Sequence, residues 1–265
     1  MRDPFLIDSP TCISFSGGRT SAYMLWRVLQ SNGGLPQEAI VCFANTGKED
    51  ESTLAFVRDC GVRWDVDIVW LEFQAHSPKF RLVDFESAAR NGEPFEALIE
   101  YKKYLPNPVA RFCTEELKAK AISRYLESVG VADAEMMVGV RADEPRRLPK
   151  LRARNLLVPL ADAGVTQVDV QAFWKAQEFD LGLVFRDGIT SLGNCDLCFL
   201  KGPNQIMSLI RDKPERAVWW AEQEGKINAT FRSDRPSYGS MLQFSKEQTD
   251  MFAGMDESIP CFCGD

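Results

Sequence analysis

The sequence predicts an α/β fold, a doubly wound and mainly parallel sheet over residues 1–187, with a small helical, cysteine-bearing module over 188–265. Three observations lead there. Short apolar runs alternate with helical patterns, the first run feeds directly into a glycine-serine turn and a helix, and the pattern changes beyond Leu160.

The first run, TCISF at Thr11–Phe15, is rich in β-branched and aromatic residues, and SGGRTS follows it before a helical pattern over Ser21–Gln30. AIVCFA at Ala39–Ala44, DIVWLEF at Asp67–Phe73 and EMMVGV at Glu135–Val140 read as further strands, and LLVPL at Leu156–Leu160 as a weaker one. Their continuous apolar character suits a sheet covered on both faces. Helical segments fall at Glu51–Cys60 and at Glu115–Ser128, where Leu117, Ala121 and Leu126 recur near helical spacing. The stretch His76–Val109 holds Asn91-Gly92, Pro94, Pro106 and Pro108 and reads in part as a mobile surface insertion, of a length that is commonly functional. After VDVQAFWKAQ, which begins a helix, RDGITSLGNCDLCFLKG is turn-rich. Prolines then open helices at Pro203–Arg211 and Pro214–Glu224.

With 265 residues, 45% of them hydrophobic, the chain can bury a full core, which excludes disorder and a disulfide-stapled miniprotein. No uncharged stretch exceeds ten residues, against the roughly 18 apolar residues a spanning helix needs. The start, MRDPFLIDSP, places Asp3 and Asp8 where an export signal would be basic and then apolar, so a soluble cytoplasmic protein without membrane partners is expected. A net charge of −7 argues against a whole-surface grip on nucleic acid while leaving room for local basic patches. His76 is the single histidine, which excludes a three-histidine zinc site; its surroundings, FQAHSPKF, read as a solvent-facing loop.

In SFSGGRTSAYML, the two glycines permit close backbone approach, and the free amides of a helix N-terminus with the Ser16, Thr20 and Ser21 hydroxyls supply donors for phosphate oxygens. It is neither a Walker loop nor the three-glycine dinucleotide fingerprint. The arginines Arg141, Arg146 and Arg147 follow the Glu135–Val140 strand, and in an open α/β sheet ligands sit beyond the carboxyl ends of strands. Guanidinium forks match phosphate and sulfate oxygens; a solvated basic turn is the competing reading.

These segments resemble a known family. SGGRTS (Ser16, Gly17, Gly18, Arg19, Thr20, Ser21) is similar to the PP-loop of the adenine nucleotide alpha hydrolase superfamily, which has a Rossmann-like fold. ANTGKEDESTLAFV, RFCTEELKAKAISRYL and VGVRADEPRRL resemble, in order, three segments of its phosphoadenosine phosphosulfate reductase branch. The resemblance covers roughly residues 10–160. It implies nucleotide or substrate contacts for the loop residues and for Asn45, Thr46, Gly47, Glu49, Arg111, Lys118, Arg141, Arg146 and Arg147. Thr20 stands where superfamily pyrophosphatases typically carry Asp, removing a carboxylate that could help hold Mg²⁺, which favours the reductase-like branch over AMP-forming thiolation enzymes.

Of eight cysteines, Cys12, Cys42 and Cys60 lie in or beside apolar runs and are assigned to packing. Cys195-x-x-Cys198 and Cys261-x-Cys263 form two later pairs, and Cys113 lies in a family-like segment. The resemblance to assimilatory adenylylsulfate reductases implies a [4Fe-4S] cluster on Cys113, Cys195, Cys198 and Cys261; a four-sulfur zinc site on the later pairs and free or redox-paired thiols are the alternatives. It also implies that Cys263, in a Cys-Gly tail like the reductases' but without their preceding Glu, attacks the substrate sulfur. The function implied is a sulfonucleotide-reductase-like enzyme, taking an adenylylsulfate or phosphoadenylylsulfate with thioredoxin or glutaredoxin as electron donor. Nucleotide-dependent sulfur insertion into DNA or tRNA, and a metal-stabilised nucleotide sensor without turnover, are the competing functions. A homo-oligomer is compatible with all three.

Overall fold

The computed structural model describes residues 2–186 and 189–247. Strand β1 (Thr11–Ser14) turns through Ser16–Gly18 into helix α1 (Arg19–Asn32), which stops where Gly33 enters the left-handed region. The almost fully buried β2 (Ala39–Asn45) leads to α2 (Glu51–Trp64), whose N-cap Asp50 accepts the Ser52 N–H at 2.9 Å. β3 (Ile68–Glu72), a short β4 (Arg81–Val83) and α3 (Glu93–Lys102) follow. A π-helical turn (Thr114–Ala119) runs into α4 (Lys120–Ser128), and β5 (Glu135–Val138) returns the chain to the sheet. Short helices α5 (Leu148–Arg152) and α6 (Pro159–Asp162) precede α7 (Gln167–Lys175), which opens on a capping box between Thr166 and Asp169. A small ribbon, β6 (Phe185–Arg186) with β7 (Ile189–Thr190), then gives way to α8 (Pro203–Asp212), α9 (Glu215–Ile227) and α10 (Tyr238–Glu247).

The main sheet has five strands in the order β4-β3-β2-β1-β5, parallel except for β4, which pairs antiparallel with β3. The α/β, mainly parallel architecture is therefore as expected. From β1 the chain steps to β2 and β3 on one side, whereas β5 lies on the other. That reversal is a switch point of the kind where α/β folds bind ligands. Ser14 lies opposite Cys42 on one side and Val138 on the other, so the segments after β1, β2 and β5 leave from one sheet edge.

One face of the sheet, with Ile13, Val41 and Phe43, packs against Met24 and Leu25 of α1, Val57 of α2 and Trp174 of α7. The other, with Cys12, Cys42 and Leu71, packs against Ile122 and Leu126 of α4. Cys12, Cys42 and Cys60 are buried, in keeping with a packing role, and His76 is exposed. A further apolar cluster joins Phe95, Leu98 and Ile99 of α3 and Leu117 of the π-helical turn to Leu197, Phe199, Ile206, Ile210, Trp220, Tyr238 and Met241. The C-terminal helices thus share their core with the middle of the chain.

Three expectations are corrected. LLVPL makes only an isolated parallel bridge, Met137 with Leu157, because Pro159 opens a helical turn there. The stretch His76–Val109 contains β4 and α3, the latter carrying Pro94 in its first turn, where proline is tolerated. The expected helix from Glu115 begins as a π-helical turn. Among the described residues, no helix is long and apolar enough to cross a membrane.

Candidate functional site

The Ser16–Ser21 loop is shaped by its own hydroxyls. The Ser16 N–H donates to Ser21 Oγ at 3.2 Å, the two serine oxygens lie 2.9 Å apart, and Ser21 Oγ donates to the Gly18 carbonyl at 3.0 Å. Gly17 has φ +78°, and a Cβ there would sit 2.8 Å from Thr53 Cγ2, so the tight approach of loop to α2 requires glycine. Gly18 stands at the N-cap of α1 in an extended conformation without a capping side chain, leaving first-turn amides available to an anion.

The segment after β5 closes on this loop. A Cβ at Gly139 would fall 2.9 Å from Ser21 Cα, and Arg141 Nη1 donates to Thr20 Oγ1 at 3.1 Å while Arg141 Nε donates to Asp143 at 2.9 Å. Beside them opens a cavity of about 320 Å³, lined by Arg19, Thr20 and Arg141, by Gln167, Val170, Gln171, Trp174 and Lys175 of α7, and by Asp180, Phe185 and Thr190. Arg19 makes a two-pronged ion pair with Asp180 and also donates to the Leu183 carbonyl at 3.1 Å. Burial pushes the Asp180 carboxyl up, but the Arg19 guanidinium outweighs it and holds the group below the usual carboxylate range. Arg147 is buried and paired with Glu144, whereas Arg146 is exposed.

The segment after β2 forms a second, drier constellation. Asn45 donates to Glu72 Oε1 at 2.6 Å and to the Ala89 carbonyl at 2.8 Å, and accepts the Gly47 N–H at 3.0 Å, so its amide fixes the turn from within. Gly47 has φ +76°, and a Cβ there would lie 3.0 Å from the Gly92 backbone. Glu49 Oε2 accepts from the Thr46 N–H and hydroxyl, both at 2.8 Å. Its other oxygen is buried and meets no hydrogen-bond donor among the described residues, and Lys118 Nζ lies 3.8 Å from it. Thr46 Oγ1 also reaches Cys195 Sγ at 3.5 Å. Desolvation, and then the Glu49 carboxylate, push the Cys195 thiol well above its ordinary value, against the pull of Lys118 and the Thr46 hydroxyl.

The site residues therefore fall in two groups on one sheet edge. Arg19 and Thr20 of the loop line the cavity at the switch point together with Arg141, while Ser16, Gly17, Gly18 and Ser21 are not part of its lining; Thr46, Glu49, Lys118 and Cys195 meet beside β2. Arg111 lies apart from the cavity lining, its Nε donating to the Pro108 carbonyl at 2.9 Å. Cys113, Cys195 and Cys198 all pack against the apolar cluster shared by α3 and the C-terminal helices. Among the described residues, no group of three or more His, Cys, Asp or Glu side chains is placed to hold a metal. Cys113, Cys195 and Cys198 by themselves are thus not gathered into such a group. Cys261 and Cys263 lie outside the described residues.

The sequence reading missed Lys48 and Asp196. Their side chains are buried and form an ion pair at 3.2 Å, and the Asp196 N–H donates to the Lys48 carbonyl at 2.7 Å. Asp196 also accepts the Trp220 indole N–H at 2.9 Å. Both residues lie inside segments singled out for other residues, Lys48 between Gly47 and Glu49 and Asp196 between Cys195 and Cys198, but nothing in sequence pairs them across 147 intervening positions.

No family model matches the chain. It is similar to the uncharacterized nin region protein ORF290 of Escherichia phage lambda, being 31% identical over 215 residues that span 76% of this chain and 69% of the phage protein. At that identity, over more than two thirds of both chains, the protein belongs to the family of this nin region protein.

Proposed function

We propose that the protein binds an adenine nucleotide on the Ser16–Ser21 loop and acts as a sulfonucleotide-reductase-like enzyme on an adenylylsulfate or phosphoadenylylsulfate. The observation that carries this reading is the Arg141–Thr20 hydrogen bond of 3.1 Å, which brings two of the family-like segments together at the switch point, beside the 320 Å³ cavity. The α1 amides and Arg141 bind the phosphosulfate oxygens, and the cavity takes the nucleoside. A thiol, assigned to Cys263 by resemblance, attacks the sulfur; the sulfur–oxygen bond to phosphate breaks and the nucleotide departs with the electron pair. A dithiol donor of the thioredoxin or glutaredoxin type then reduces the resulting thiosulfonate, releasing sulfite and becoming a disulfide.

Calorimetry with adenosine 5′-phosphosulfate and AMP, followed by assay of the products, tests this. Saturable binding with sulfite release in the presence of a dithiol is expected. Arg141→Ala should weaken binding about tenfold or more, since a charge-assisted hydrogen bond contributes roughly 1.5 to 3 kcal/mol. Binding without any product would instead support a sensor, and a change below about twofold in Arg141→Ala would remove that arginine from the site.

A further inference from the structure

The end of α3 and the segment after it present exposed aromatic rings among lysines. Tyr101 and Tyr104 are 47% and 43% exposed. Lys79 Nζ donates to the Tyr101 hydroxyl at 2.9 Å and lies 4.6 Å from that ring's centroid. Lys102 Nζ sits 5.8 Å from the Tyr101 centroid and 5.9 Å from that of Phe112, against which Tyr104 packs edge-on at 4.6 Å. These contacts make the rings and ammonium groups one continuous face.

The face is basic against the trend of the molecule. Residues 101–124 carry six Lys or Arg and two carboxylates, Glu115 and Glu116, in a chain of net charge −7. Glu116 faces Lys102, Lys120 and Arg124 at 3.0, 3.2 and 3.0 Å, and Glu115 reaches Lys120 at 2.8 Å, so two negative charges answer three positive ones and Lys103 adds a further cation. A local excess of this kind concentrates anions at the surface that bears it. Half-exposed aromatic rings between the cations add a requirement that charge alone does not have, namely flat faces on which to stack. Unpaired bases offer such faces beside phosphates, whereas a duplex hides its bases and an acidic peptide has none to spare.

We propose that this face binds single-stranded nucleic acid, with bases stacked on Tyr101 and Tyr104 and phosphates along Lys79, Lys102 and Lys103. The π-helical turn that follows this face also carries Lys118, whose Nζ lies 3.8 Å from Glu49. The proposal stands apart from nucleotide binding at the Ser16–Ser21 loop, because it uses none of that loop's residues.

Fluorescence anisotropy of the full chain with a labelled oligothymidylate of about 12 nucleotides, and with a duplex of equal length, tests it. The single strand is expected to bind more tightly than the duplex and to weaken steeply between about 50 and 200 mM salt. Tyr101→Ala with Tyr104→Ala should weaken it about fivefold or more, whereas the paired Phe substitutions, which keep the rings, should not. Lys103→Glu should weaken it too, and affinity for adenosine 5′-phosphosulfate should be unchanged in all these variants. No saturable binding at low salt, equal affinity for the duplex, an undiminished paired-alanine variant, or equal competition by polyglutamate would each overturn the proposal.

Discussion

Lys48→Met is the sharpest test of how the site is held together. The methionine keeps most of the stem that packs beside Gly92 and under Trp219 but removes the ammonium 3.2 Å from Asp196. Both side chains are buried, at 7% and 6% exposure, so water cannot replace the lost partner. Among the described residues, Asp196 would keep the Trp220 N–H at 2.9 Å and the Leu197 N–H at 2.7 Å. Breaking a buried pair by removing one partner costs about 3 to 5 kcal/mol, because the remaining charge is stranded. The double variant Lys48→Met with Asp196→Leu strands no charge, so it should cost clearly less than the two single changes added together. Urea unfolding followed by tryptophan fluorescence reads this directly, since Trp219 and Trp220 flank the pair. A loss under about 1 kcal/mol in Lys48→Met, or strict additivity in the double variant, would refute the reasoning.

Gly17→Ala should destabilise the protein by about 1 to 3 kcal/mol, combining a left-handed φ with the 2.8 Å approach to Thr53; urea midpoints measure it. Gly139→Val should displace the Ser21 backbone and lower affinity for adenosine 5′-phosphosulfate in calorimetry, while circular dichroism stays near that of the parent. Acid unfolding should depend on Glu116. Burial raises its carboxyl, but Lys102, Arg124 and Lys120 outweigh this and bring it from 4.5 down to about 2. A depressed folded value means stability that is present above about pH 4.5 and is lost as pH falls toward about 2, so Glu116→Gln should flatten the stability profile in that window. An unchanged acid limb in the variant would show that the three cations do not act through Glu116.

Much of the fold could be read in advance where local chemistry and burial agree. β1, β2, β3 and β5 are short apolar runs covered on both faces, and the glycines after β1 mark a turn that only a strand-to-helix junction explains. β4 was hidden because, at the sheet edge, Arg81 and Leu82 are both exposed and no apolar alternation survives. Pro94 and Asn91-Gly92 looked like loop signals, yet they cap and open α3. The meeting of Thr20 with Arg141 could be foreseen because both follow parallel strands that end at the same sheet edge. The Lys48–Asp196 pair, the engagement of Arg19 by Asp180 and the inward-turned Asn45 could not, since each depends on a partner brought near only by tertiary folding.

The apolar cluster shared by α3 and the last three helices sets an order on assembly during synthesis. Phe95, Leu98 and Ile99 emerge from the ribosome more than a hundred residues before Trp220 and Tyr238, the rings that help cover them. The sheet from β1 to β5 can form while the later chain is still being made, but the apolar side of α3 stays uncovered until α9 and α10 arrive. Until then the nascent chain carries an adhesive face suited to a chaperone or to a neighbouring chain. A fragment ending near residue 187 would carry that face permanently, and should be recovered as aggregate or in complex with a holdase rather than as a free folded unit.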